Sequence, residues 1–175
     1  LVDAMGGTIS CESQVGHGSV FEFVLPLHGG TPSDGKAIRP EGLGQIRVLV
    51  IDDAPITCEV IQQQLERWGI SSNSAPSAAE GIQALRVAQA SGEPYDLCLI
   101  DHGLISFAGG EFHVVLRQDP LIERTGLVLL GTVAHRTDTT LIQAKGFATT
   151  LPKPAVRAQA LKEALARGME QRRRL

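Results

Sequence analysis

Two adjacent carboxylates, Asp52 and Asp53, close the apolar run Val48-Leu49-Val50-Ile51, and a third, Asp101, closes a second run, Leu97-Cys98-Leu99-Ile100. Gly131-Thr132 follows a further apolar stretch, and Lys153 stands between prolines in Leu151-Pro152-Lys153-Pro154. Carboxylates gathered in one crevice repel: two unit charges about 4 Å apart cost roughly 4 kcal/mol at a surface-like dielectric, so the cluster calls for a cation. Hard oxygens with room for water suit Mg2+. A carboxylate in such a place can attack phosphorus and form an aspartyl-phosphate, with Lys153 and the Thr132 hydroxyl as partners for the phosphoryl oxygens and alignment and charge neutralisation supplying most of the catalysis. Taken singly, each residue has a plainer account: a helix cap or solvated turn for the acid pair, a loop cap for Asp101, a surface charge on a rigid turn for Lys153. Their order along the chain, each closing a buried strand, favours a shared site.

The elements that must position them read as follows. Short β-branched and leucine runs bounded by turn signals are strands buried on both faces, as in parallel sheets, and such sheets place their sites beyond the carboxyl ends of the strands. After the acid pair, Pro55 to Trp68 reads as a helix with Ile56, Val60, Ile61, Leu65 and Trp68 as its apolar stripe. A weak strand near Ile70 to Ala75 precedes a helix from Ser77 to about Ala90, with Ala79, Ile82, Leu85 and Val87 as inner positions. Tyr95 to Ile100 is the strand ending in Asp101; a loop, His102 to Gly110, leads to a helix through Phe112, Val115 and Leu116. Gly126 to Leu130 is a strand, Asp138 to Lys145 a helix, Ala148 to Leu151 a short strand and Val156 to Met169 a last helix. Strands separated by helices form right-handed crossovers. Five such units predict an α/β fold, the flavodoxin-like doubly wound parallel sheet of order 2-1-3-4-5.

Upstream, the chain opens without methionine in what reads as the last turn of a helix stopped at Gly6-Gly7, as though cut from something longer. Thr8 to Ser13 and Ser19 to Leu25 alternate as the strands of a hairpin, too little to build its own core. The stretch from His28 to Gln45 is rich in Gly, Pro and polar residues and reads as a flexible linker. The expected organisation is therefore residues 1–27, an α+β hairpin stub; 28–45, the linker; 46–169, the main domain; and 170–175, a tail. With 43% hydrophobic and 20% charged residues and a formal charge of -3, the chain has no nucleic-acid footprint, and Arg172-Arg173-Arg174 reads as a solvated helix end. Cys11, Cys58 and Cys98 are odd in number and lack metal-ligand spacing, which points to reduced thiols in the cytoplasm. No stretch is long and apolar enough to span a bilayer, so any membrane anchor of the parent protein would lie upstream.

Two resemblances sharpen this. Met5-Gly6-Gly7-Thr8-Ile9, Glu12-Ser13, Gly16-His17-Gly18-Ser19 and Phe21 to Leu27 are similar to the C-terminal end of the ATP-binding domain of sensor histidine kinases; the boxes with which that family binds ATP, and its phosphorylated histidine, are not in this chain, so neither ATP binding nor histidine phosphorylation is expected of it. Ile46 to about Ala166 resembles the receiver domain of response regulators. That resemblance implies Asp52 and Asp53 as metal ligands, Asp101 as phosphoacceptor and metal ligand, the backbone carbonyl of Gly103 as a further ligand, and Lys153 as the phosphate-pairing base, with Gly146 also matching. Three positions depart from the family pattern: the switch hydroxyl falls on Gly131, with Thr132 one residue later; the aromatic expected three residues before the lysine is Thr150; and the proline of the loop after the phosphoacceptor is Ile105.

Stub, linker and receiver in that order resemble the C-terminal part of a hybrid histidine kinase. The resemblance implies Mg2+-dependent transfer of a phosphoryl group from a phosphohistidine of the parent's kinase domain to Asp101, and onward transfer to a histidine phosphotransfer protein. The alternative is a degenerate receiver that regulates by docking, without phosphorylation.

Overall fold

The computed structural model describes residues 1–26, 43–132, 139–153 and 157–175, the side chains of 132 and 139–141 excepted. The chain divides into two compact units, Leu1–Lys36 and Ala37–Leu175.

In the first unit a 3-10 turn, Asp3–Met5, ends at Gly6, whose φ of 75° is the left-handed cap that glycine adopts without penalty. The hairpin follows as β1 (Thr8–Gln14) and β2 (Gly18–Val24). Its register sets Ile9 opposite Phe23 and Cys11 opposite Phe21, which gathers these four on one face, while Ser10 pairs with Glu22 on the other. Every residue of both strands is exposed, as a hairpin without a second layer must be.

The second unit holds β3 (Arg47–Ile51), α1 (Pro55–Arg67), β4 (Ser71–Ala75), α2 (Ala78–Ala90), β5 (Leu97–Asp101), a short ladder of β6 (Ser106–Phe107) and β7 (Gly110–Glu111), α3 (Phe112–Arg117), β8 (Gly126–Thr132), α4 (Thr139–Ala144), β9 (Thr149–Lys153) and α5 (Ala158–Arg174). The main sheet runs β4-β3-β5-β8-β9, all parallel, which is the expected 2-1-3-4-5 order. Strand residues alternate between two apolar layers. Leu49, Ile51, Cys98, Ile100, Leu127 and Leu129 pack with residues of α2, α3 and α4. Val48, Val50, Leu97, Leu99, Val128, Leu130 and Leu151 pack on the opposite face with residues of α1 and α5. Both layers are apolar and buried, which explains why the strand sequences read as continuous apolar runs.

Several expectations need correction. The inward stripe of α1 is Cys58, Ile61 and Leu65, whereas Ile56 and Val60 are exposed. On α2 the inner residues are Ala78, Gly81, Ile82, Leu85 and Ala88; Ala79 and Val87 face solvent. Gly81 is inward because α2 lies so close to β3 that a side chain there would run into Ile51. The loop after Asp101 contains the β6–β7 ladder, and Leu43, within the stretch read as linker, is buried with Ile46 in the α1–α5 layer. The rest of that linker, residues 28–42, and the expected helix start at Asp138 lie outside the described residues. Finally, α5 continues through Arg174, five residues past the expected end. Gln171 holds it there, its amide accepting from Leu127 N at 2.9 Å and donating to Gly146 O at 2.7 Å, with Arg172 paired to Asp96 at 3.0 Å.

The α5–β8 contact gives a stability prediction. A Cβ on Gly126 would stand 2.5 Å from Gly168 O and 2.7 Å from Leu97 Cδ2, so the helix must lift to admit it. Gly126→Ala should cost about 1–3 kcal/mol in urea unfolding. Gly44→Ala, with nothing within 4 Å of the new methyl, should stay within about 0.5 kcal/mol of the parent.

Candidate functional site

The same alternation that sorts the core delivers the polar residues to one place. Asp52 continues the Val48, Val50 set one step beyond β3; Asp101 ends the Leu97, Leu99 set of β5; and Lys153 ends the set of Leu151 on β9. All three therefore emerge at the carboxyl edge of the sheet on the α1–α5 side. Lys153 Nζ lies 2.5 Å from Asp52 Oδ2 and 2.6 Å from Asp101 Oδ1, bridging the two acids. The side chain of Asp52 is wholly buried, while those of Lys153 and Asp101 keep 18% and 17% exposure. Asp52 is set deep, and the lysine and Asp101 remain reachable from solvent.

The remaining oxygens are held by the backbone. Asp52 Oδ1 accepts from Ala54 N at 2.9 Å, and Asp101 Oδ2 accepts from Gly103 N at 2.8 Å. Apart from the ammonium of Lys153, Asp52 Oδ2 has no hydrogen-bond partner among the described residues. Burial by itself lowers the pKa of the Lys153 ammonium, but its hydrogen bonds to Asp101 and Asp52 outweigh that, and the net position is above the ordinary lysine value. Beneath the acid pair, the Cys58 thiol donates to Asp52 O at 3.6 Å. Burial, reinforced by the nearby Asp52 charge, pushes that thiol up, so it remains protonated.

Asp53, one residue further on, is exposed and lies outside the lysine bridge; with Asp52 it lines a recess of about 390 Å3 walled by Pro55 and Glu59 on α1, by Ser74 at the end of β4 and by Pro76 just after it. Gly103 sits in the turn that follows Asp101, its N–H turned to the Asp101 carboxylate. Gly131 belongs to the alternate set of Leu127 and Leu129; a side chain there would point to the methyl of Thr150, 3.5 Å away, on the face opposite Lys153. The backbone of residue 132 pairs with that of Lys153 in the β8–β9 register. The hydroxyl of Thr132 and the Lys153-Pro154 junction lie outside the described residues.

The donor set suits a hard cation, since Asp52 Oδ2 is buried with no partner but a positive charge. In the arrangement described, that charge is the lysine's, and among the described residues no three acidic, thiol or imidazole side chains surround a common point. Among those residues, too, no helix is long and apolar enough to cross a membrane.

The model of the response regulator receiver domain matches residues 48–166. The sensor protein TorS of Escherichia coli is 32% identical over 163 residues, which cover 90% of this chain and 17% of TorS. The sensor histidine kinase AruS of Pseudomonas aeruginosa is 33% identical over 118 residues, covering 67% of this chain and 11% of AruS. The chain thus spans less than a fifth of the length of these relatives. Among solved structures, a response regulator from Desulfuromonas acetoxidans superposes with a TM-score of 0.60 at 17% identity, covering 71% of this chain and 97% of that one, and a sensor protein from Polaromonas sp. JS666 with 0.58 at 21% identity, covering 74% and 99%; at such identities they share the fold. With the acid–lysine bridge at the sheet edge, the family match and the two sensor relatives in agreement, the chain belongs to the response regulator receiver domain family of two-component signalling.

Proposed function

We propose that this chain is the receiver of a hybrid histidine kinase and that Asp101 accepts a phosphoryl group from a phosphohistidine. The observation that carries the reading is the bridge of Lys153 between Asp52 and Asp101, which sets a carboxylate, a fixed cation and a buried second acid around one point. Asp101 Oδ1 attacks phosphorus, the phosphorus–nitrogen bond of the donor breaks, and the imidazole leaves with a proton from solvent. Lys153 turns from the carboxylate to a phosphoryl oxygen, and the Gly103 N–H keeps Oδ2 in place. Asp52, Asp53, Asp101 and the Gly103 carbonyl would hold Mg2+, which when bound neutralises charge on the phosphoryl oxygens. The register that pairs the backbone of residue 132 with Lys153 supports Thr132 as the hydroxyl donor, over the reading in which the hydroxyl is missing.

The match to TorS covers 90% of the chain and so extends through the junction between its two units, which supports a single parent carrying both. The donor is then the parent's own kinase domain, the onward acceptor a histidine phosphotransfer protein, and the compartment the cytoplasm. A second reading, a docking module that does not depend on phosphate, draws on Thr150: with Gly131 beside it, no aromatic and hydroxyl pair is available there to report the phosphorylated state.

Incubation with acetyl phosphate should add one phosphoryl group to the chain with Mg2+ and almost none with EDTA, read by intact-mass spectrometry; equal uptake in both would contradict the metal's part. Thr132→Val should slow uptake by about tenfold to a hundredfold, the size expected when one hydrogen bond to a charged group is lost. Gly131→Ser, which places its side chain toward Thr150, should leave the rate near that of the parent.

A further inference from the structure

His113, on α3, stands between two unlike neighbours. Its ring centroid lies 5.8 Å from that of Phe147 at a tilt of 53°, and its Nδ1 lies 3.9 Å from Glu111 Oε2. Phe147 is buried in the apolar layer that the sheet shares with α2, α3 and α4. Glu111 keeps 42% exposure and ends β7, where the Ser106 hydroxyl donates to its Oε1 across the two-residue ladder. That ladder lies in the loop that runs from Asp101 to α3. The Nδ1 atom is buried and has no hydrogen-bond partner among the described residues, since 3.9 Å is beyond hydrogen-bond reach. Such a place suits a neutral ring and leaves a charged one short of an acceptor.

We propose that His113 is a proton-operated switch between these two neighbours. The neutral imidazole stays against Phe147. A proton taken from water makes both ring nitrogens donors, and the cation gives up the apolar contact for the Glu111 carboxylate, Oε2 accepting from it while Oε1 stays with Ser106. Few charges face the ring. Arg117, one turn further along α3, and Lys145, just after α4, oppose the proton, Glu111 favours it, and burial opposes it most, so the ring titrates below the ordinary histidine value of 6.5. Arg117 cannot retreat, because it donates to Thr125 O at 2.9 Å and to Gly146 O at 3.4 Å. The sign follows from burial: below 6.5 the unfolded chain takes a proton here that the packed ring resists, so acid draws stability from the packed arrangement. The switch needs no phosphoryl group and is independent of the part proposed for Asp101. It sets whether the start of α3 is held to Phe147, ahead of β9, or to the end of the loop that begins at Asp101.

The test is an NMR titration of the full chain from about pH 7.5 to about pH 5, which spans the histidine range, following the His113 ring, the Glu111 13Cδ resonance and the NOEs between the His113 and Phe147 rings. The His113 midpoint should fall below 6.5, the Glu111 resonance should step at that same midpoint, and the ring-to-ring NOEs should be lost as the proton binds. Glu111→Gln should lower the midpoint by a few tenths of a pH unit, the scale of a partly exposed ion pair. In His113→Phe the Glu111 step at that pH should vanish, and the melting temperature should fall less on acidification than it does in the parent. His113→Gln, smaller than the ring it replaces, gives the same comparison without added bulk. NOEs that persist through the titration, a midpoint unmoved in Glu111→Gln, or a Glu111 step that survives in both His113 variants would overturn the switch.

Discussion

Lys153→Met lowers the unfolding free energy by about 3–5 kcal/mol in metal-free buffer near neutral pH, the cost of removing one partner from a buried ion pair. Asp52 bears the loss: its side chain has no exposure, Oδ1 is satisfied by Ala54 N, and Oδ2 is left with no partner once the ammonium is gone. The pH dependence has a definite sign. Because the folded-state pKa of Lys153 lies above the ordinary value, the stability tied to its charge is fully present below the unfolded lysine value of about 10.4 and is lost as pH climbs through the folded one. The gap between parent and variant should therefore be flat through neutral pH and narrow above about pH 10.4. Mg2+ should restore part of the variant's stability, since an ion that binds only the folded form stabilises it by mass action. Urea unfolding with and without Mg2+ at several pH values checks all three; a gap below about 1 kcal/mol, the range of an exposed pair, would mean that the bridge contributes little.

The second large effect is on chemistry. Asp101→Ala should abolish phosphoryl uptake from acetyl phosphate, because among the described residues no other acid combines exposure with contact to Lys153: Asp52 is buried, and Asp53 stands outside the bridge. Stability should change far less than in Lys153→Met, since Lys153 keeps Asp52 and the Asp101 side chain is partly solvated already. The variant also separates the two functional readings. A phosphorelay receiver loses transfer to its acceptor protein with Asp101, whereas a docking module retains its effect on the parent kinase.

The parts of this structure that follow from apolar periodicity were legible in the chain. Val48 to Ile51, Leu97 to Ile100 and Gly126 to Leu130 are strands buried on both faces, and their order in the sheet follows from the crossovers. Because Asp52, Asp101 and Lys153 fall on the same alternate set, the strand ends alone bring these three together. What was not legible depends on close approach or on polar anchoring. Gly81 takes an inner place on α2 that periodicity gave to larger residues, because the helix nearly touches Ile51. The last turns of α5 have no apolar stripe and are held by Gln171 and Arg172. Ile56 and Val60 look inward by spacing, yet Cys58 sets the face that α1 buries. The backbone of residue 132 pairs with that of Lys153, a register of one residue that spacing in the sequence does not reveal.

The most direct measurement is the location of the phosphoryl group itself. After incubation of the chain with Mg2+ and acetyl phosphate, peptide mapping under conditions that preserve an acyl phosphate should place the modification on Asp101 alone, and Lys153 should report it by a change in its ammonium resonance. A phosphoryl group found on Asp52, Asp53 or any acid elsewhere, with Asp101 unmodified, would contradict the assignment of Asp101 as the acceptor.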